Sequence, residues 1–234
     1  SLFGLYTTLE NSEYTNMVGY LKNCYFVSMA DFDENCSYGS NVFHSKDSYD
    51  ITMLYGSELC YEAINCHKCY RVIYSIDCES CHNVSFSKNC VGCSDCIGCV
   101  NLRNKQYYIF NKPHTKEEFE QLAKEYAPNS RAKIEEIKTK TLALWQAYPQ
   151  KFIHERLTSN VSGEYIYNSK NVHGSFLVHD MEDSRYCAIV MPGKTTNAYD
   201  HTHYGGATDL LYETLQVGNQ ASHIIGSWFV LINV

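Results

Sequence analysis

The chain has 234 residues, of which 44% are hydrophobic, 19% charged and 14% aromatic, with a formal net charge of −7. This composition excludes a disordered chain, and the acidic balance argues against nucleic acid or an anionic membrane surface as partner. No apolar run reaches the roughly 18 residues that a membrane-spanning helix needs, and these 234 residues carry no signal-peptide pattern.

The chain starts at Ser1 without a methionine and ends in the apolar run SWFVLINV, so it reads as a fragment of a longer protein. Twelve cysteines are present, and all but Cys187 lie between Cys24 and Cys99. Small secreted disulfide scaffolds are usually shorter and denser in cysteine.

From Asn11 onward the chain repeats every twelve residues: NSEYTNMVGYLK, NCYFVSMADFDE, NCSYGSNVFHSK, DSYDITMLYGSE, LCYEAINCHKCY, RVIYSIDCESCH, NVSFSKNCVGCS, DCIGCVNLRNKQ. Column two reads Ser12, Cys24, Cys36, Ser48, Cys60, Val72, Val84, Cys96. Column eight reads Val18, Ala30, Val42, Leu54, Cys66, Cys78, Cys90, Leu102. Columns five and eleven are also mostly small, and column one is mostly Asn or Asp.

A twelve-residue period is too long for a helix or a strand and fits one coil of a β-solenoid. The expectation is two short strands per coil, with columns two and eight facing each other across a thin interior. Asn and Asp at column one suit the bends. Eight such rows, at a strand spacing of about 4.8 Å, make a rod about 38 Å long.

The period changes after residue 112. Thr115 and Glu118 form a capping box ahead of a stripe of Phe119, Leu122, Ala123 and Tyr126. Pro128 is expected to end this helix. Ser130 can cap a second one carrying Ile134, Ile137, Leu144 and Trp145, which ends before Pro149.

A longer repeat spans the hairpin. Lys46–Ile64 reads KDSYDITMLYGSELCYEAI, and Thr196–Leu215 reads TNAYDHTHYGGATDLLYETL. With one inserted residue, Tyr49-Asp50 aligns with Tyr199-Asp200 and Tyr61-Glu62 with Tyr212-Glu213. NVSG at Asn160 and NVHG at Asn171 mark early coils of this second copy, whose register is blurred near MPGKTT.

The expected fold is therefore mainly β, a β-solenoid in two duplicated halves with an α-helical hairpin between them. The segments are 1–112, 113–156 and 157–234, the last cut off by the chain end. Asp47 and Asn197 are expected at equivalent bends, bonded to nearby backbone N–H groups.

Three C-x-x-C pairs, Cys66/Cys69, Cys78/Cys81 and Cys90/Cys93, give the chain its most conspicuous candidate site. Such pairs close together commonly hold zinc. Here they recur at the coil period itself, as inward packing also requires, and Cys is among the most buried residue types. Carrying the duplication forward puts Cys60 on Leu211, Cys66 on Val217 and Cys78 on Phe229, so apolar residues stand where ligands would be needed. Core packing of reduced thiols is the preferred reading, with no cofactor. The alternative is zinc or iron held by these six cysteines, or a redox role for the ladder from Cys66 to Cys99. Unpaired thiols favour a reducing compartment such as the cytoplasm.

Other candidates are weaker. His201 and His203 alternate, so on a strand they would share a face beside Asp200. Tyr14, Phe26, Tyr38, Tyr74 and Phe86 form an outward aromatic column, either a stacking platform for sugars or bases or the seat of the hairpin. Arg103 and Lys105 suit a cap better than an anion site. No Ser-His-Asp pattern, phosphate loop or carboxylate pair marks an enzyme.

From ELCYEAINCHKCYRVIYSIDCESC through CIGCVNLRNKQYYIFNKPHTKEEF the chain resembles a family of cysteine-rich proteins encoded by uncultured, small-genome bacteria of the candidate-phyla type. The segment NLRNKQY carries the resemblance most specifically. It implies a duplicated repeat with a helical insert, preceded in family members by a zinc ribbon that this chain lacks. It implies no activity.

Three functions stay open: a non-enzymatic scaffold for a protein partner or self-association, a metal or redox protein, and a carbohydrate-binding or carbohydrate-active β-helix.

Overall fold

The computed structural model describes residues 8–190, 193–218 and 220–231. The chain divides into two compact units, Ser1–Pro149 and Gln150–Val234.

In the first unit the strands Tyr25–Asp31, Ser37–Phe43, Tyr49–Tyr55 and Tyr61–His67 are parallel. Their register is Tyr25↔Ser37↔Tyr49↔Tyr61, a step of twelve residues. Shorter strands continue it as Tyr70↔His82↔Ser94↔Gln106. This is the hydrogen-bond register of a coil that climbs one rung every twelve residues, as the columns require.

The interior period is three, which corrects the expected coil of two alternating strands. In one coil Cys60, Ala63, Cys66 and Cys69 all point inward and are buried. In the next, Val72, Ser75, Cys78 and Cys81 do the same. The residue before each inward one is left-handed: Leu59, Glu62, Asn65 and Lys68 have φ of 57°, 43°, 51° and 53°. Side chains alternate only along continuous extended backbone. A left-handed corner every third residue resets that alternation, so columns two, five, eight and eleven all line the core.

Left-handed backbone is costly for most residues and mildest for Asn and Asp. Bonds between corners on successive rungs help offset it. Asn11 Nδ2 donates to Asn23 Oδ1 at 3.2 Å, Asn23 to Asn35 at 3.0 Å, and Asn35 to Asp47 at 2.6 Å. Asp47 (φ 48°) and Asn197 (φ 51°) are both corners, each followed by a buried residue, Ser48 or Ala198. Neither side chain bonds to a backbone N–H: Asp47 accepts from the corner Asn35, whereas Asn197 Nδ2 donates at 3.0 Å to Oδ1 of Asp209, the residue before the corner Leu210. Asp47→Ala should cost about 1 kcal/mol through the lost bond, measured as a shift of the denaturation midpoint at unchanged slope.

The hairpin packs within the first unit. Helix α1, Lys116–Leu122, has the Thr115/Glu118 capping box, and α2, Arg131–Ala147, is capped by Ser130. Phe119 and Ile137 are buried against Phe86, Ile97 and Ile109. Helix α1 stops at Leu122, short of Pro128. Beyond it Glu125 and Tyr126 make turn bonds to Leu122 and Ala123, and the Tyr126 ring meets Phe110 edge-on at 5.2 Å. The residue before a proline also disfavours helix.

The second unit has the same parallel pairing with unequal coils. The step is 12 at Ile166↔Val178, 14 at Arg185↔Tyr199, and 13 at Ala198↔Leu211 and Leu211↔Ile224. These steps blur the period in the sequence. They also correct the placing of Phe229: it is a corner with φ 64°, and the residue stacked on Val217 is Val230. A thirteen-residue coil shifts the inward position by one.

Candidate functional site

The six candidate cysteines, Cys66, Cys69, Cys78, Cys81, Cys90 and Cys93, all point into the core, buried and unpaired as disulfides. Their hydrogen bonds explain why cysteine and serine fill this interior. An inward N–H bonds according to the inward side chain one coil below. Over serine it donates to the hydroxyl: Cys24 N–H to Ser12 Oγ at 3.1 Å, Cys60 to Ser48 at 3.1 Å, and Cys69 to Ser57 at 3.0 Å.

Over cysteine the N–H points at sulfur, as from Cys78 to Cys66, Cys81 to Cys69, Cys93 to Cys81, and Lys105 to Cys93. Over apolar residues the two coils pair backbone to backbone, as along Val18↔Ala30↔Val42↔Leu54↔Cys66. That is why the seven-residue strands shorten to four residues once the interior becomes rich in Ser and Cys.

The same side chains also donate. Cys69 Sγ reaches His67 O and Cys78 O, both at 3.4 Å, and Cys81 Sγ reaches Glu79 O and Cys90 O at 3.4 Å. Ser57 Oγ occupies the same relation to Tyr55 O at 3.1 Å. Each thiol is therefore a volume-filling analogue of serine, satisfying backbone that the triplet coil leaves unpaired. Burial pushes the Cys60 and Cys187 thiols up to about 11, which keeps them in the weakly nucleophilic protonated form. Among the described residues no group of three or more His, Cys, Asp or Glu is disposed to hold a metal ion.

His201 and His203 do not share a face. His201 is an inward residue, fully buried, with Nδ1 2.9 Å from Thr214 Oγ1, while His203 is a corner with φ 63°. Asp200 is also a corner, so the three residues do not converge. The triplet period again replaces strand alternation. Arg103 is spent on bracing Asn89, donating to its Oδ1 at 3.0 Å and to its carbonyl.

The aromatic column divides in two. Towards the C-terminal coils it is the seat of the hairpin: Phe86 is 1% exposed and Tyr74 packs in the same cluster. Towards the N-terminal coils it lies open, with Tyr14, Phe26 and Tyr38 at 67%, 60% and 54% exposure, beside exposed Tyr25 and Tyr49. The open rings pack edge to face, Tyr14 on Tyr25 at 5.4 Å and 70°, Tyr25 on Tyr38 at 5.7 Å and 75°. Another outward column stacks flat, Tyr20 on Phe32 at 4.7 Å and Phe32 on His44 at 5.0 Å.

Where the open and covered stretches meet, α2 and the coil face enclose a cleft of about 390 Å³. Asp50, Glu62, Tyr74, Phe86, Lys138 and Trp145 are among its lining residues. Lys138 Nζ lies 2.8 Å from Glu62 Oε2 and 4.6 Å from the Tyr74 ring centre. Glu62 and Lys138 are 76 residues apart, so nothing in the sequence pairs them.

No protein-family model and no curated protein matches the sequence. Among solved structures, the chain is similar to a protein from Desulfovibrio desulfuricans G20 provisionally described as an acetyltransferase, at 12% identity over 93% of this chain and 63% of that one, with a TM-score of 0.17. It is similar also to UDP-N-acetylglucosamine acyltransferase from Campylobacter jejuni, at 8% identity over 62% of this chain and 91% of that one, with a TM-score of 0.16. The chain thus spans less than two thirds of the length of the first. At these scores neither likeness assigns a fold or an activity.

Proposed function

We propose that the chain is a non-enzymatic binding scaffold, and that the open aromatic stretch from Tyr14 to Tyr49 docks an amphipathic helix of a protein partner. One observation carries this reading: the same column already docks a helical hairpin on its covered part, burying Phe86 and Ile137. The open rungs lie further along the same column, past the acidic corners Asp50 and Glu62, and carry the same kinds of aromatic side chain. Clustered exposed aromatic rings are uncommon on a surface without a partner.

A sugar or base platform is less favoured, because such ligands stack on free ring faces. Here the rings turn edges and faces toward one another along the column. The metal alternative is less favoured because each thiol already has a hydrogen-bonding role in the core. Free thiols in such number suit a reducing compartment. No helix among the described residues is long and apolar enough to cross a membrane. We also propose that the second unit is a diverged duplicate of the first. The matching corners Asp47/Asn197 and Asp50/Asp200 support this, all four with φ between 48° and 53°.

The test uses a labelled synthetic helix bearing the apolar stripe and lysines of α2. Saturable binding to the chain, weakened at least about tenfold by Tyr25→Ser with Tyr38→Ser at unchanged melting temperature, is the expected result. Binding indifferent to those changes sinks the reading. Dimers in sedimentation that the same variant dissociates would put a second copy on this face instead.

A further inference from the structure

The geometry points to the cleft beneath α2 as a binding site for an organic ammonium group. Asp50 and Glu62 are corners of the same column on adjacent rungs, set by the pairing Ile51↔Ala63. Neighbouring rungs lie about 4.8 Å apart, so the two carboxylates repel unless cations lie between or beside them. Lys138 bonds Glu62. Among the described residues Asp50 has no ion-pair partner. One negative charge therefore stays unmatched at the mouth of the cleft.

The rest of the lining suits a cation on an apolar stem. The Tyr74, Phe86 and Trp145 side chains supply aromatic walls, and an ammonium near a ring face is attracted by the ring's quadrupole. Lys138 already shows this mode, with its Nζ over Tyr74. Thr141, 2% exposed, lines the same cleft, and its hydroxyl is buried with no hydrogen-bond partner. It is a buried acceptor for the N–H of a guest. The cleft volume of about 390 Å³ falls within the range of about 300–1,000 Å³ common to small-molecule sites.

The ammonium has two possible sources, a free alkyl diamine or a lysine side chain of another chain. The site's own residues carry this inference, independently of the open aromatic stretch. Tyr25→Ser with Tyr38→Ser should leave it intact.

Trp145 lines the cleft and Trp228 is 73% exposed, so Trp228→Phe leaves Trp145 as the only tryptophan and a local reporter. The probes are 1,4-diaminobutane, N-acetyl-lysine methylamide and, as a control, butyrate. Saturable change with either amine and none with butyrate is expected. A response to 1,4-diaminobutane assigns a free diamine, and a response to the lysine analogue alone assigns a partner's lysine. Asp50→Asn, at an exposed corner, should weaken binding about tenfold while the fold is kept. Lys138→Met should tighten it by a comparable factor, because it removes a competing cation and frees Glu62. No saturation by either amine, equal binding of butyrate, or indifference to Asp50→Asn at an unchanged melting temperature overturns the inference.

Discussion

Replacing Asp33 by serine should stabilise the first unit increasingly as pH rises from about 4 to about 8. Asp33 points into the core at 2% exposure. Its Oδ1 accepts the Ser45 N–H at 2.8 Å, while Oδ2 has no partner. Burial pushes its carboxyl up to about 8, with Cys24 and Asp31 adding to the rise and the Ser45 bond opposing it. Below the unfolded value near 3.8 both states hold the proton and Asp33 is harmless. Between 3.8 and about 8 the unfolded chain releases the proton while the folded chain keeps it, so stability falls with rising pH. Over that window the loss is on the order of several kcal/mol, since each unit of separation is worth about 1.4 kcal/mol.

Serine keeps the acceptor, as Ser45 does for the Ser57 N–H one coil on, and removes the charge. Wild type and Asp33→Ser should therefore match near pH 4 and diverge towards pH 8, in denaturation followed by hydrogen exchange in the N-terminal coils. Parallel curves would show that Asp33 is solvated. The second unit should respond with the opposite sign. Burial lowers His201 to about 4, and its Nε2 has no partner. The unfolded chain takes up this proton first as pH falls below 6.5, so that unit weakens towards acid.

The twelve-residue coil was legible because the inward columns hold mostly small or apolar side chains, whatever the backbone does between them. The capping box at Thr115 was legible because it is local. The triplet was not: its left-handed corners include Phe26, Met29, Arg71 and Tyr74, residue types that signal nothing of the kind. The available signal was that columns five and eleven are small as well as two and eight, which two alternating strands do not require. The second unit misled for a related reason. Its steps of 12, 14 and 13 shift the inward position without changing the composition, so Phe229 was matched where Val230 stands. The cleft was invisible because it depends on where α2 lands across 76 residues.

The cysteine ladder gives the sharpest contrast between what composition suggests and what the coil demands. Treated as packing alone, Cys66→Val or Cys78→Val should cost about 1 kcal/mol or less. The hydrogen bonds argue for more at positions whose upper neighbour relies on sulfur. Cys81 is the best case: its single S–H can donate to Glu79 O or to Cys90 O, each 3.4 Å from the sulfur, and the Cys93 N–H points back at it. Cys81→Val removes the acceptor and leaves that N–H buried, at a cost of about 1–3 kcal/mol, unless the two coils draw together into backbone pairing as they do over Val72. Cys81→Ser keeps both roles, in the geometry Ser57 shows beneath Cys69, and should lie within about 1 kcal/mol of wild type. A metal ligand would reverse this order, since a serine hydroxyl is a poor substitute for thiolate and its loss would unfold the local coils. Denaturation of the two variants, with and without a chelator, decides the matter. Serine above valine with no chelator effect fits a hydrogen-bonded core, whereas serine as the worse substitution, with the wild type melting early in chelator, would make the ladder a metal site.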